Sequence, residues 1–353
     1  MSGPEGSSIK HCIVCAVGIF CPEHSTLSSK NSVGFVPGAF ILSIIFPQSV
    51  NGRAKLCYNN IQSLFWQIWS DGFMKVGLVL EGGAMRGLYT AGVLDTFLDH
   101  DIHVDTILGV SAGACFGCNL FSKQRGRVLR YNQRFAGDKR NVSLHSLITT
   151  GDIVNKEFAY YVIPTKYDVF DEEAFEAHGG EYWVVVTNVE TGEPEYMQMH
   201  HLLGDIEMMR ASASMPFCSR FVPIDGKNYL DGGISDSIPV RKALTMGFDK
   251  IIVVLTQPAD YVKKPMNPMM IKAFYRRYPN LCRTLIERHD RYNAQAADVM
   301  QLEKEGKVFV IRPKEDLNIK RLEKDPKEME RVYNIGLADG EERMAALKDY
   351  LAR

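Results

Sequence analysis

The chain has 353 residues, with 41 basic against 42 acidic side chains and a formal net charge of −1 at pH 7. That balance supplies no global field to recruit nucleic acid or an anionic bilayer, so any such attraction has to be local. Hydrophobic residues at 46% and charged residues at 24% are ordinary globular values, which exclude a largely disordered chain and a many-spanning membrane protein.

Residues 1–73 scatter Gly, Ser and Pro without lasting helical or strand periodicity and do not read as a domain of their own. Their apolar run 35–47 (FVPGAFILSIIFP) has 13 residues and carries Pro37 and Gly38, short of the ~20 residues a helical span needs. Cys12, Cys15, Cys21 and His24 have the spacing of a small zinc site, a weak motif by itself. The eight cysteines of the chain are too dispersed for a disulfide scaffold and read as reduced thiols. Because Met74 and Lys75 open directly onto the first clear strand, 1–73 is expected to be a disordered extension, or to precede a native start at Met74.

From Met74 onward the pattern sharpens. Residues 75–80 (KVGLVL) form a β-branched apolar run of buried-strand type, followed by the glycine-rich turn 81–87 (EGGAMRG). A helix is expected over 88–100, where Leu88, Ala91, Leu94 and Leu98 share a face. Residues 106–110 (TILGV) make a second strand and 111–121 a second helix, with Cys115 and Cys118 filling a packing face. Further strands are expected at 182–187, 228–230 and 250–255, and one more at 308–311 within an otherwise helical tail. Strands alternating with helices predict an α/β fold whose central sheet is mostly parallel. The expected boundaries are a catalytic domain over 74–258 and a helix-rich C-terminal extension over 259–353.

Gly109-Val110-Ser111-Ala112-Gly113 matches G-x-S-x-G between a strand and a helix. A serine there is pushed out of the packed layer, and small neighbours allow the tight bend. It also sits at a helix N-terminus, whose partial positive charge favours an alkoxide. The bland alternative is Ser111 as a simple helix cap in a non-catalytic lipid-binding module. The loop Gly82-Gly83-Ala84-Met85-Arg86-Gly87 offers converging backbone N–H groups to an anion. Two uses are open: an oxyanion hole, or the pyrophosphate site of a dinucleotide enzyme with Asp101 or Asp105 downstream.

A serine nucleophile needs a base. His200 and His201 follow an extended segment and could complete a triad. Asp231-Gly232-Gly233 instead presents a carboxylate on a turn after a short strand, although Asp-Gly is also a common structural turn.

Taken in order, LVLEGGAMRG, GVSAG, the segment ASASMP at 211–216 and the DGG turn at Asp231 resemble the blocks of patatin-like phospholipases, over about 75–257. The resemblance implies a three-layer α/β/α patatin-like fold and a serine hydrolase acting on lipid or phospholipid esters, without metal or cofactor and with no nucleic-acid partner. It implies a Ser111–Asp231 dyad without histidine, oxyanion donors from Gly82, Gly83 and Ala84 with Arg86 at the loop's basic position, and an elbow bracketed by Gly109 and Gly113. The family's third glycine is Ala84 here; alanine keeps the N–H but resists positive φ, so ordinary backbone space is expected at that residue. Segment 261–293 holds eight Lys or Arg residues against Glu287 and Asp290, interleaved with Tyr261, Phe274, Tyr275 and Tyr278. Two readings are open: one basic aromatic helix touching anionic headgroups, in a cytoplasmic protein peripheral to the membrane, or a solvated helix face.

Overall fold

A computed structural model of the chain describes residues 74–353. The zinc-type spacing at Cys12 to His24, the apolar run 35–47 and the expectations for 1–73 lie outside the described residues.

Parallel strands β1 (Val76–Leu80), β2 (Thr106–Val110), β3 (Glu181–Asn188), β7 (Lys250–Val254) and β8 (Phe309–Ile311) form the heart of one sheet. Their order is β3-β2-β1-β7-β8, and every neighbouring pair is parallel. Three antiparallel strands complete it at the β3 end: β4 (Pro194–Met199), β5 (Val222–Ile224) and β6 (Lys227–Asp231).

Every residue of β1 and β2 is buried, because alternate side chains enter different cores. Leu78, Leu80 and Ile107 pack under α1 (Gly87–Asp99), α2 (Ala112–Phe121) and the long α10 (Pro326–Ala352). Val79, Leu108 and Val253 pack on the other face, against α7 (Val240–Leu244) and α9 (Pro279–Lys304). The result is a three-layer α/β/α architecture with a mostly parallel sheet, as expected. The tail beyond 258 contributes to both layers and to the sheet, since β8 pairs with β7 and α10 covers α1.

Between β2 and β3 the chain forms α3 (Arg127–Arg134), α4 (Leu144–Thr150), an 11-residue π-helical segment Glu157–Tyr167 with Pro164 inside it, and α5 (Glu172–Ala177). Two further helices, α6 (Ile206–Ser212) and α8 (Pro268–Tyr275), flank the edge where the strands end. Segment 261–293 is therefore not one helix: α8 and the start of α9 are separated at Arg276 to Tyr278.

Candidate active site

Strand pairing builds the site. Val110, the last residue of β2, lies opposite Val185 of β3, and Asp231, the last residue of β6, lies opposite Val186. Since β4 occupies the other edge of β3 at both positions, β2 and β6 meet end to end along a single edge. The Ser111 Oγ–H consequently donates to Asp231 Oδ2 at 2.7 Å, and both residues are buried.

Ser111 has φ 52° and ψ −119° and its side chain caps nothing, so the hydroxyl is free for Asp231 instead of serving the helix as an ordinary N-cap would. A non-glycine residue in such backbone space costs about 1 to 3 kcal/mol and persists only where surroundings over-determine it. Those surroundings are crowded. A Cβ on Gly113 would meet Leu80 O at 2.5 Å, and one on Gly82 would meet the Ser111 Cβ at 2.9 Å. Gly109 is close to the Ala114 backbone in the same way.

The ASASMP segment ties both halves together. Ser212 Oγ accepts the Ser111 N–H at 2.9 Å, and Ser214 O accepts the Asp231 N–H at 2.9 Å. Thr187 Oγ1 donates to Asp231 O at 2.8 Å, and the Gly233 N–H donates to Asp231 Oδ1 at 2.8 Å. Burial raises the Asp231 carboxyl above the ordinary aspartate value, while Arg288 and the hydrogen bond from Ser111 pull it part of the way back.

Gly82, Gly83 and Ala84 border Ser111 in one cavity, and among the described residues their N–H groups have no protein acceptor. Ala84 has φ 50°, contrary to the expectation of ordinary backbone space. The following turn, in which the Arg86 N–H donates to Gly83 O at 3.1 Å, leads straight into α1 and imposes that conformation despite the side chain. Glu81 braces the loop from below: it is buried, and its carboxylate accepts from the Thr256 N–H at 2.6 Å and from the Tyr292 hydroxyl at 2.8 Å.

The alternatives fare differently. His200 and His201 are exposed, and His201 Nδ1 pairs with Glu176 at 2.5 Å, so neither joins Ser111. Glu172, Glu176 and His201 bring ligand-type atoms within 4.8 Å of one another at the surface. Asp105 sits at the start of β2, where it accepts the Val76 N–H at 2.7 Å. That is the end of the sheet opposite the glycine loop, so Asp105 does not stand where a dinucleotide ribose would require a carboxylate.

Two cavities meet at Ser111 and share Ala84, Ser111, Met215, Arg321 and Leu322. One, of about 190 Å³, is walled by apolar groups such as Phe116, Tyr131, Ile163, Ile206 and Met209. Cys115 also lines it, and burial pushes the neighbouring Cys118 thiol up to about 12. The other, of about 170 Å³, contains Asp231 and the glycine loop together with Arg86, Lys263, Arg288 and Arg321. Sequence reading missed three of these four cations as site residues. Lys263 and Arg288, which the sequence places in a basic segment expected to touch anionic headgroups, line this cavity instead, and Arg288 Nε donates to Gly233 O at 2.5 Å, directly behind the Asp231 turn.

Residues 78–244 match the family described as Patatin-like phospholipase, and that region belongs to it. Residues 278–352 match a family described only as a domain of unknown function, DUF6363. The chain is similar to the uncharacterized protein YjjU of Escherichia coli K12, 32% identical over 225 residues, which is 60% of each chain. It is similar also to lysophospholipase NTE1 of Scheffersomyces stipitis, 30% identical over 198 residues, 54% of this chain and 12% of that one. Lysophospholipase NTE1 of Candida albicans is 29% identical over 223 residues, 59% of this chain and 15% of that one. Among solved structures, VipD from Legionella pneumophila aligns over 77% of this chain and 67% of its own at 13% identity, with a TM-score of 0.39. The match thus spans 60% of the length of the first of these curated relatives and 12% and 15% of the other two.

Proposed function

We propose that this chain is a serine acyl-hydrolase that cleaves fatty-acyl esters of lipids or phospholipids through a Ser111–Asp231 dyad. The observation that carries the reading is the buried 2.7 Å hydrogen bond from Ser111 Oγ to Asp231 Oδ2 beside unpaired loop N–H groups. The names of the lysophospholipase relatives support a lipid ester as substrate.

In the proposed cycle Ser111 Oγ attacks the ester carbonyl while its proton passes to Asp231. The N–H groups of Gly82, Gly83 and Ala84 take up the oxyanion, and each such donor is worth about 3 to 4 kcal/mol of barrier. Collapse expels the alcohol, which leaves with the proton from Asp231, and an acyl-enzyme remains. Water then gives a proton to Asp231 as it attacks the acyl carbonyl, releasing the fatty acid and restoring the Ser111 hydroxyl. The raised carboxyl makes Asp231 a stronger base than an ordinary aspartate. No metal or cofactor takes part in this scheme.

The apolar cavity suits an acyl chain. Access from a membrane surface fits Val262, Met269, Met270 and Phe274, large apolar side chains exposed on and beside α8. No helix among the described residues is long and apolar enough to cross a membrane, and a cytoplasmic, peripheral location accords with this reading. A fluorophosphonate probe should label Ser111, seen as an adducted peptide by mass spectrometry, and Ser111→Ala should not be labelled. Unlabelled protein, or adduct on another residue, would overturn the proposal.

A further inference from the structure

Four cations gather beside the dyad, one from the glycine loop and three from the C-terminal region. Arg86 from the glycine loop, Lys263 from the segment after β7, Arg288 from α9 and Arg321 from the segment after β8 all line the cavity that contains Ser111 and Asp231. Among the described residues only two acids line it, Asp231 and Glu81. Both carboxylates are already engaged, Asp231 by Ser111 and Gly233, Glu81 by Thr256 and Tyr292.

The cations are largely unanswered. No carboxylate lies within ion-pair distance of Arg86, Lys263 or Arg321 among the described residues. Arg86 Nε is buried without any hydrogen-bond partner, an arrangement that costs free energy unless something absent from the protein satisfies it. The Lys263 ammonium stands 4.0 Å over the Tyr292 ring. Desolvation, and then the neighbouring Arg288, Arg86 and Arg321, draw it down to about 7 against the opposing pull of Glu81, the behaviour of a site richer in cations than in anions.

We infer that this cavity is an anionic headgroup subsite: Arg86, Lys263, Arg288 and Arg321 take the phosphate of a net-negative phospholipid while its acyl chain fills the apolar cavity across Ser111. The inference rests on the ester-hydrolase reading for what happens at Ser111, but the binding it describes does not require turnover. Geometry supports the division of labour. The two cavities share Ser111, Ala84, Met215, Leu322 and Arg321, so a carbonyl at Ser111 has a mainly apolar room on one side and a cationic room on the other, with Arg321 at their junction. Four cations facing two engaged acids favour a headgroup with no positive charge of its own. The excess disfavours phosphocholine, whose ammonium would find no free carboxylate.

The test compares one acyl chain carried by lysophosphatidylglycerol, lysophosphatidylcholine and monoacylglycerol. Below the micellar range, kcat/KM of the full chain should favour lysophosphatidylglycerol over the other two by about tenfold or more, since charge-assisted contacts carry the difference. Lys263→Gln with Arg321→Gln should pull that ratio below about threefold through KM. A wild-type ratio already under about threefold, or one the double variant leaves in place, overturns the inference. Calorimetric binding of the same lipids to Ser111→Ala gives an independent answer. Tighter binding of the glycerol headgroup lipid supports the subsite even if hydrolysis is never seen, in which case the ester-hydrolase reading alone falls. Inorganic phosphate should compete with lysophosphatidylglycerol only weakly; tight phosphate binding without lipid preference would mark a free-anion site and overturn the headgroup assignment.

Discussion

Ser111 and Asp231 occupy consecutive stations along one edge of β3, the first following the residue opposite Val185 and the second facing Val186. The parallel strand β2 leaves that edge and the antiparallel strand β6 arrives on it one residue later. Strand ends fix both backbones, so the 2.7 Å contact depends little on loop order. Ser111→Ala and Asp231→Asn should each lower kcat for a short-chain nitrophenyl ester by on the order of 10⁴-fold, because in the proposed cycle the two act as one proton-transfer unit. His200→Ala and His201→Ala should cost less than about threefold, both being exposed and separate from Ser111. A histidine variant as inactive as Ser111→Ala would replace the dyad with a triad.

The pH dependence follows from Asp231. Its carboxyl is raised by burial, is faced by Ser111, the Gly233 N–H and the Arg288 guanidinium, and has Lys263 as a more distant cation. As the proposed base it must be ionised, so activity is present above the folded value and lost as pH falls through it. The midpoint of the acid limb of kcat/KM should therefore lie above the ~3.9 of a free aspartate. Arg288→Gln removes the leading opposing charge and should move that midpoint further up; no movement would separate Arg288 from the base.

The parallel core strands were legible because burial on both faces turns each into an uninterrupted apolar run, as in 76–80 and 106–110. The elbow and the DGG turn were legible through their small residues. β4 and β5 were not, since an edge strand such as PEYMQM is half-buried and mixed in polarity. The π-helical segment 157–167, with Pro164 inside, follows neither period. Lys263, Arg288 and Arg321 were beyond reach for a different reason. Their placement arises from where the segment after β7, α9 and the segment after β8 return across the sheet edge, and a local pattern of charges cannot separate an inward cation from an outward one.

Ala84 tests how the glycine loop is held. At φ 50° an L side chain is strained by roughly 1 to 2 kcal/mol, while glycine's extra freedom in the unfolded chain costs about 0.4 to 1 kcal/mol. Ala84→Gly should therefore be neutral to slightly stabilising and remain active. Ala84→Val should cost about 1 to 3 kcal/mol in urea unfolding, with a fall in kcat, because a β-branched residue resists that region most. Inactive Ala84→Gly would contradict this account.

Helices α1 and α10 cross backbone to backbone. A Cβ on Gly336 would run into Tyr89 O, and one on Gly92 into Tyr333 O. Buried hydrogen bonds flank the crossing, with the Tyr89 hydroxyl donating to Asp339 at 2.9 Å and the Tyr333 hydroxyl to Asp95 at 2.5 Å. Gly336→Ala should force the helices apart at a cost of about 1 to 3 kcal/mol. Equilibrium unfolding would show this as a lower midpoint; an unchanged midpoint would mean that α10 docks without the close crossing.

The α8 region carries the proposed membrane contact. Met269 is 77% and Phe274 64% exposed, with Val262 and Met270 also exposed beside them. Around this apolar group stand the exposed Lys264, Lys272, Arg276, Arg277 and Arg283, whereas Lys263 and Arg288 face the cavity and are lost to the surface. Each exposed cation near an anionic surface is worth about 1 kcal/mol, and each inserted large apolar side chain about 1.5 to 3 kcal/mol. Sedimentation should therefore show stronger binding to anionic than to neutral vesicles, weakening as salt rises. Met269→Asp with Phe274→Asp should lower binding to anionic vesicles by about tenfold or more, while hydrolysis of a monomeric short-chain ester falls far less than hydrolysis of vesicle lipid. Equal binding to neutral and anionic vesicles would remove the electrostatic part of the argument, and undiminished binding of the double variant would move the contact surface away from α8.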